Sequence, residues 1–218
     1  MRVSGWKVAG VALLCGVMVG TVRAQLDDPA VAKQKYETYK TRVMAGDLAV
    51  DWRAFRLAAM VGGVDGGFDW HPVRNQVLQD ADAGKDDAAL AGANQIIAHN
   101  MANPEGHVLA MLVLRRMGKD DAADKERAIV DAIVKSILAS GDGKSAKTAW
   151  FTVDPSEEYF VINVVLGAQP KGQALVQQDG HAFDKMTVVD DKGAEQVLWF
   201  NTDTDMQIMD AAMNPKKK

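Results

Sequence analysis

Ser140-Gly141-Asp142-Gly143-Lys144-Ser145, the Gly141 loop, divides the chain. Helical periodicity precedes it, and the pattern of a small βαβββ unit follows it. Glycines on both sides of an aspartate allow positive φ at both positions, which would end the preceding helix and turn the backbone toward a strand near Thr148. The same glycine amides, with Lys144 and Ser145 beside them, could instead hold an anion or a carboxylate. Both interpretations remain open from the sequence.

The first 24 residues have the composition of a cleaved secretory signal peptide. Basic residues precede an apolar run at residues 8–19, which is too short to span a bilayer, and Val22-Arg23-Ala24 provides a cleavage site. A membrane anchor is the alternative interpretation. Cys15 follows a leucine rather than a small residue, so we assign it to the discarded signal. We therefore expect a periplasmic or secreted protein with no membrane span after cleavage.

Charge and cysteine content exclude several classes of protein. The whole chain has 25 basic and 29 acidic residues. Removal of residues 1–24 takes away three basic residues and no acidic one, which leaves 22 basic residues and a net charge of −7. An acidic chain disfavours nucleic-acid binding, and Lys216-Lys217-Lys218 is interpreted as a solvated end. Without Cys15 the chain has no thiol for a disulfide or a nucleophile.

Residues 25–140 are predicted to be helical and repeat-like. Asp28 before Pro29 gives a helix N-cap followed by a proline at the first helical position. In the second helix, Trp52 and Phe55 lie on one apolar stripe and Arg56 lies off it. Helices are predicted at residues 28–46, 51–60, 69–81, 103–114 and 119–139, with another after Gly84.

Gly84-Lys85-Asp86-Asp87-Ala88-Ala89 recurs 34 residues later as Gly118-Lys119-Asp120-Asp121-Ala122-Ala123. This is the tetratricopeptide period, and each copy would end a helix at glycine, offer an aspartate cap and begin a helix with small alanines. The resemblance to tetratricopeptide repeats is partial, because His107 and Ala110 occupy the aromatic positions of the first helix. Two copies need flanking elements to cap them. We expect about three helical hairpins.

Residues 141–205 are predicted to form the βαβββ unit, and residues 206–218 a C-terminal tail. Asp154-Pro155-Ser156-Glu157 has the pattern of a capping box at a helix start. Asp179-Gly180 is the residue pair that a two-residue hairpin turn prefers. The predicted fold class is thus α+β, with tetratricopeptide-like helical hairpins followed by a small antiparallel sheet. Its strands are expected at residues 148–153, 173–178, 181–189 and 197–200.

Several segments carry a family resemblance: residues 137–145, Glu158-Tyr159, Leu166, residues 170–175 and residues 199–201. In them the chain resembles an uncharacterised secreted bacterial family catalogued as domain of unknown function 4919. The resemblance extends over roughly residues 48–203 and is most specific from 137 to 175. Because the family has no established activity, the resemblance implies a domain boundary and a compartment but no catalytic residues.

Two motifs imitate known binding loops without completing them. Gly143-Lys144-Ser145 matches the end of a nucleotide-binding P-loop, but Leu138 stands where that loop needs glycine, and a helix rather than a strand precedes it. Residues 201–205 imitate the start of a calcium loop, but Met206 and Ala212 replace its glycine and its glutamate. We interpret residues 201–205 as a polar, solvent-facing segment.

The four histidines lack the close spacing of a helical metal pair, so no metal and no cofactor is predicted. His181 and Asp184 are the nearest histidine and carboxylate, but three residues apart on a strand they point to opposite faces. Capping explains Glu157. The polar groups left without a structural task are Lys144, Ser145, Glu158, Tyr159 and His181.

We expect a non-enzymatic interaction module, in which the helices offer a groove to a protein or peptide partner. The alternative is a small-ligand binder or an enzyme, with a site between the Gly141 loop, the helix at Glu158 and the hairpin at His181. The candidate binding residues are Gly141, Asp142, Gly143, Lys144, Ser145, Glu158, Tyr159 and His181.

Overall fold

A computed structural model describes residues 26–214, and that part of the chain has the predicted α+β architecture. Six helices come first, and a four-stranded mixed sheet follows. The predicted signal peptide, with Cys15, and the terminal lysines lie outside the described residues. The α-helices are α1 (Pro29–Met44), α2 (Trp52–Val61), α3 (Trp70–Asp82), α4 (Asp86–His99), α5 (Pro104–Arg116), α6 (Asp120–Leu138), α7 (Pro155–Phe160) and α8 (Asp203–Met213). The strands are β1 (Trp150–Phe151), β2 (Gln169–Gln178), β3 (His181–Val189) and β4 (Glu195–Asn201).

Aspartate caps begin the first three helices. The side chains of Asp28, Asp51 and Asp69 each accept a hydrogen bond from a backbone amide of the following turn, at 2.9, 2.9 and 3.0 Å. These bonds satisfy amides that a helix start leaves without partners. None of the described helices has both the length and the apolar character needed to cross a membrane.

The two copies of the Gly-Lys-Asp-Asp-Ala-Ala motif have nearly the same backbone conformation. Gly84 and Gly118 have φ of 73° and 71°, and the lysine after each is the N-cap residue without a side-chain cap. The prediction of an aspartate cap is therefore wrong: the aspartates occupy the first helical turn, where their charge favours the helix dipole. Ala89 and Ala123 are fully buried. Each of α3, α4 and α5 packs against the helix that follows it, while the tetratricopeptide likeness stays a prediction.

The sheet has the strand order β1-β4-β3-β2. The predicted run of consecutive antiparallel strands is confirmed for β2, β3 and β4, and the Asp179-Gly180 turn has φ of 52° and 80° as that turn requires. The first strand differs from its prediction. It spans two residues, because Ala146–Thr148 forms a 3-10 turn, and it joins β4 in parallel.

Two further helical features lie in the C-terminal half of the chain. Val161–Val165 continues α7 as a short π-helix. Residues 203–213 form α8, so regular structure continues past residue 205, where the sequence analysis ended the folded unit.

One hydrophobic cluster combines residues from both halves of the chain. Tyr36 and Phe55 of the helical part and Met186 and Phe200 of the sheet are all fully buried members of it. A second cluster lies among α3, α4 and α5. The helical region and the sheet therefore share a core rather than folding around two separate ones.

A buried ion pair joins α2 to α7. Arg56 is 1% exposed and Glu157 is 3% exposed. The Arg56 guanidinium donates to Glu157 Oε2 and, through Nε, to Ser136 Oγ at 3.1 Å. The prediction that Arg56 lies off the buried stripe is therefore wrong. Glu157 also accepts a hydrogen bond from the Val153 amide at 2.9 Å, so it both supports the start of α7 and neutralises Arg56.

Candidate functional site

The amides of the Gly141 loop are used inside the protein. The amides of Asp142 and Gly143 both donate to the Thr148 carbonyl, at 3.0 and 2.8 Å, and the Lys144 amide donates to Asp142 Oδ1 at 3.0 Å. Ser145 Oγ lies 2.9 Å from the Thr148 hydroxyl, and the Lys144 side chain is 80% exposed. An anion would have to displace these hydrogen bonds, because the amides of the loop already bind acceptors within the loop and at Thr148.

The two glycines of the loop serve different steric needs. Gly143 has φ of 68°, but Gly141 is not among the residues of positive φ, so the prediction of positive φ at both is wrong for Gly141. A Cβ at Gly141 would lie 2.1 Å from the Thr148 carbonyl oxygen, and one at Gly143 would lie 2.7 Å from the Trp150 ring. Gly141 is thus required for close backbone approach.

Glu158 belongs to a buried polar cluster under the sheet. It is 0% exposed and accepts a hydrogen bond from the Thr152 hydroxyl at 3.3 Å. Burial and the nearby charge of Asp184 raise the pKa of Glu158 to about 9. Asp184 accepts from the Gln173 amide at 2.8 Å, and the Tyr159 hydroxyl donates to the same Gln173 side chain at 3.2 Å. Glu158 is therefore protonated at neutral pH.

The predicted site residues occupy three separate places. Alternation along β3 puts His181 on the opposite face of the sheet from Asp184, as predicted, and Glu158 lies with Asp184 on the core side. Lys144 points into solvent from the Gly141 loop. His181 lines a cleft that the other predicted residues do not line.

This β3–α8 cleft has a volume of about 530 Å³. Its floor is the outer face of the sheet, because Phe151, Asn201 and Phe183 are successive register partners and residues directly opposite share a face. The walls come from α2, from the segment between α6 and β1, and from the start of α8. The volume lies in the range of small-molecule sites.

Two cationic side chains line the cleft. The Arg53 guanidinium carbon lies 4.0 Å from the centroid of the Phe151 ring, a cation–π contact that holds the long side chain in place. Lys147 comes from the 3-10 turn before β1. Within residues 26–214 neither cation forms an ion pair. Both charges are therefore available to a ligand.

A histidine–carboxylate pair lines the cleft where β3 meets the start of α8. His181 Nδ1 lies 2.5 Å from Asp203 Oδ2, and Asp203 Oδ1 accepts from the Ala182 amide at 2.8 Å. Partial burial raises the pKa of Asp203, but the hydrogen bonds from Ala182, His181 and Asn201 outweigh burial and lower it. A charged Asp203 fixes the proton of His181 on Nδ1 and leaves Nε2 as the nitrogen that can contact a ligand.

The hydrogen-bond partners of His181 show whether a nucleophile lies within its reach. Among the described contacts no hydroxyl bonds to its ring, and Ser140, which also lines the cleft, donates to the Ile137 carbonyl and accepts from the Phe151 amide. A nucleophile needs a base within hydrogen-bonding reach. In residues 26–214 no group of three histidine, cysteine or acidic side chains is placed to hold a metal ion.

The sequence pattern does not predict most of this cleft, because Arg53 and Lys147 lie outside the predicted site. The prediction of a solvent-facing segment at residues 201–205 is wrong for Thr202 and Thr204, each 4% exposed. Asp203 enters the sequence prediction only as part of an incomplete calcium loop. The one available signal was the cluster of polar residues directly after β4, at a strand end where side chains often form sites.

The fold is an array of helices that shares its core with a mixed sheet, and its candidate site is a small-molecule cleft on the outer face of that sheet. Residues 77–210 match the family described as Domain of unknown function (DUF4919), and the chain belongs to this family. A search of the curated proteins found no match, and a search of the solved structures found none. Lys147, His181 and Asp203 lie inside the family match, whereas Arg53 lies before it.

Proposed function

We propose that this protein is a binding protein for a small organic carboxylate, which it holds in the β3–α8 cleft. The observation that carries the proposal is the Arg53 guanidinium, which is stacked on Phe151 and has no acidic partner among the described residues. An arginine held in place beside a cavity is suited to a carboxylate, because its planar donors match the two oxygens. Lys147 adds a second positive charge to the lining of the cleft.

The other lining groups describe the rest of the ligand. Phe151, Phe183 and Leu57 supply apolar contact for a short hydrocarbon or ring. Because Nδ1 of His181 is bonded to Asp203, Nε2 is the ring nitrogen that faces a ligand, so the ligand should carry a polar group such as a hydroxyl or an amine. Hydroxy acids, amino acids and the ends of short peptides have this combination of groups.

Thermal-shift and calorimetric titrations with glycolate, phenylalanine, alanyl-phenylalanine and glucuronate test the proposal. A ligand at 100 times its Kd should stabilise the wild type by about 2.7 kcal/mol through mass action. Arg53→Gln keeps a polar side chain but loses the charge, and we expect its Kd to rise about 10- to 100-fold.

Lys144→Ala is the matched control, because it removes an exposed cation from the neighbouring Gly141 loop. It should bind like the wild type. If Lys144→Ala loses the shift while Arg53→Gln keeps it, the anion interpretation of the Gly141 loop is correct and the cleft proposal is wrong. No shift with any of the carboxylates would also contradict the cleft proposal.

A second candidate function is the protein- or peptide-interaction module that the helical repeat predicts. The observation that favours it is a groove of about 440 Å³ between α3 and α4, lined in part by Val73, Ala88 and Ala91. Ala91 is exposed, so Ala91→Arg would fill the groove without disturbing the core. A partner captured by the wild type and lost with this variant would support the module; a partner retained by it would contradict binding at this groove.

Export to the periplasm or the medium is part of the same proposal. Its support is the sequence of residues 1–24 alone. N-terminal sequencing of the exported protein should start at Gln25, whereas an unprocessed chain or a lipid-modified start at Cys15 would contradict it.

A further inference from the structure

Strand β2 forms an open edge of the sheet. Nine of its ten residues are exposed, and Val176 is half-buried. An edge strand presents unpaired N–H and C=O groups that can pair with another strand. The features that protect such an edge are confined to its beginning, where Pro170, Lys171 and a bulge before Gly172 lie. The segment from Gln173 to Gln178 has no charge, no proline and no bulge.

The hairpin turn decides which backbone groups of β2 are free. Positive φ at both turn residues is typical of a type I′ turn, in which the Gln178 carbonyl accepts from the His181 amide. Because bonded and outward residues alternate in an antiparallel pair, every second residue before Gln178 also bonds to β3. The residues that turn their N–H and C=O groups to the free edge are therefore Gln173, Leu175 and Gln177.

We propose that β2 pairs with β2 of a second copy of this chain, antiparallel and centred on Leu175. In this register Leu175 faces its own symmetry copy, and Gln173 faces Gln177. All the outward residues of the neutral segment are used, which gives about six backbone hydrogen bonds. If one strand slides by two residues along the other, one outward residue faces either the turn residue Asp179 or the bulge and loses its hydrogen bonds. The register centred on Leu175 therefore makes the most bonds.

Charge favours a second copy over an unrelated strand. The neutral segment is flanked by Lys171 at one end and Asp179 at the other. Pairing centred on Leu175 places each of them beside its opposite charge, at both ends of the interface, as two-fold symmetry requires. Lys171 already pairs with Glu195 of its own sheet, and both side chains are about half exposed, so it can serve the interface as well.

The first test is the molar mass of the purified protein, measured by light scattering over a concentration series. We expect a dimer that Leu175→Pro converts to monomer. Proline removes only an outward N–H at this position, so the hairpin should keep its circular-dichroism spectrum. Leu175→Ala keeps the N–H and should remain largely dimeric.

The second test uses symmetry and does not depend on a proline variant folding well. Cysteine is introduced at 175 in a Cys15→Ser background, which has no other cysteine. Opposed residues in such a pair have Cα atoms about 5.5 Å apart, which suits a disulfide. Oxidation should crosslink Leu175→Cys to a covalent dimer. Gln177→Cys faces position 173 of the other copy and should not crosslink.

The charged ends are tested separately. Lys171→Glu places like charges opposite each other and should weaken the dimer several-fold, while Lys171→Glu with Asp179→Asn should recover part of the loss. Glu195→Gln removes the partner of Lys171 within the chain and should leave the dimer unchanged. A monomer at all concentrations, a dimer that survives Leu175→Pro, or equal crosslinking at 175 and 177 would overturn the proposal.

Discussion

At the scale of single residues, the buried acids are the chain's least expected feature. Glu158 has no exposed surface, and its Oε2 atom has no hydrogen-bond partner among the described residues. The charged side chain with the largest effect on its pKa is Asp184, which is another carboxylate and not a cation. Two acids in one buried site cannot both ionise without a large cost. Glu158 therefore remains neutral at a pH where an exposed glutamate is charged.

This arrangement predicts how stability depends on pH. The folded pKa of Glu158, about 9, is above its unfolded value of about 4.5. Its contribution is fully present below the unfolded pKa and is lost as the pH rises toward 9, because the unfolded chain releases the proton first. The free energy of unfolding should fall by up to about 1.4 kcal/mol per pH unit across this window. Urea titrations at pH 5.5, 7 and 8.5 measure this slope.

Glu158→Gln should reduce the slope, because an amide of the same shape does not titrate. Burial also raises the pKa of Glu157 and of Asp65, and these groups keep their contribution. Glu37→Gln changes an exposed glutamate and should keep the wild-type slope. A wild-type slope in Glu158→Gln would show that other groups cause the pH dependence.

At the scale of elements, the Gly141 loop joins α6 to β1 by close backbone approach. Asp142 and Gly143 close it onto the Thr148 carbonyl, and the Trp150 indole donates to the Gly141 carbonyl at 3.1 Å. The loop was correctly predicted to be the junction between helices and sheet. Its mechanism differs at Gly141, where the absence of a side chain, rather than a left-handed conformation, is what the junction needs.

Two alanine substitutions separate the cost of a left-handed backbone conformation from the cost of a steric clash. Gly118→Ala meets open space at φ of 71°, so it reports the conformational penalty alone, about 1 kcal/mol. Gly141→Ala places a Cβ against the Thr148 backbone, which cannot move as a side chain can. It should lower the free energy of unfolding by about 3 kcal/mol or more. Denaturant unfolding measures both. A loss at Gly141 no larger than that at Gly118 would contradict the steric explanation.

At the scale of the whole molecule, the Arg56–Glu157 pair connects the N-terminal helical region to α7 of the C-terminal unit. Its partners are 101 residues apart in the chain, and both are almost completely buried. Ser136 of α6 and the Val153 amide bond to the same pair, so three distant segments meet there. Removing one member would leave a buried charge without its partner.

Arg56→Met should therefore destabilise the protein by about 3 to 5 kcal/mol. Arg56→Met with Glu157→Gln leaves no unpaired charge, and the glutamine oxygen can still accept from the Val153 amide, so the double variant should be more stable than Arg56→Met alone. Chemical denaturation of the two variants and of Glu157→Gln completes a double-mutant cycle. If the losses in free energy of unfolding of the two single variants add up to that of the double variant, the two side chains act independently.

The sequence by itself determined the local elements of this protein. The aspartate caps, the glycine that begins each motif copy and ends the preceding helix, and the Asp179-Gly180 turn all act within a few residues. Helix starts, the hairpin and the α+β class could therefore be predicted from them. The family resemblance likewise depends on contiguous segments, and the match of residues 77–210 to the family confirms it.

Only the tertiary structure decided which distant residues meet. The burial of Arg56, the parallel pairing of β1 with β4 and the meeting of Arg53 with His181 in one cleft depend on packing between segments that are 50 or more residues apart in the chain. Periodicity indicates which face of an element is apolar, but it cannot say which element will cover that face. A charged residue such as Arg56 is buried only because a partner from another segment neutralises it, and that partner is absent from its local sequence.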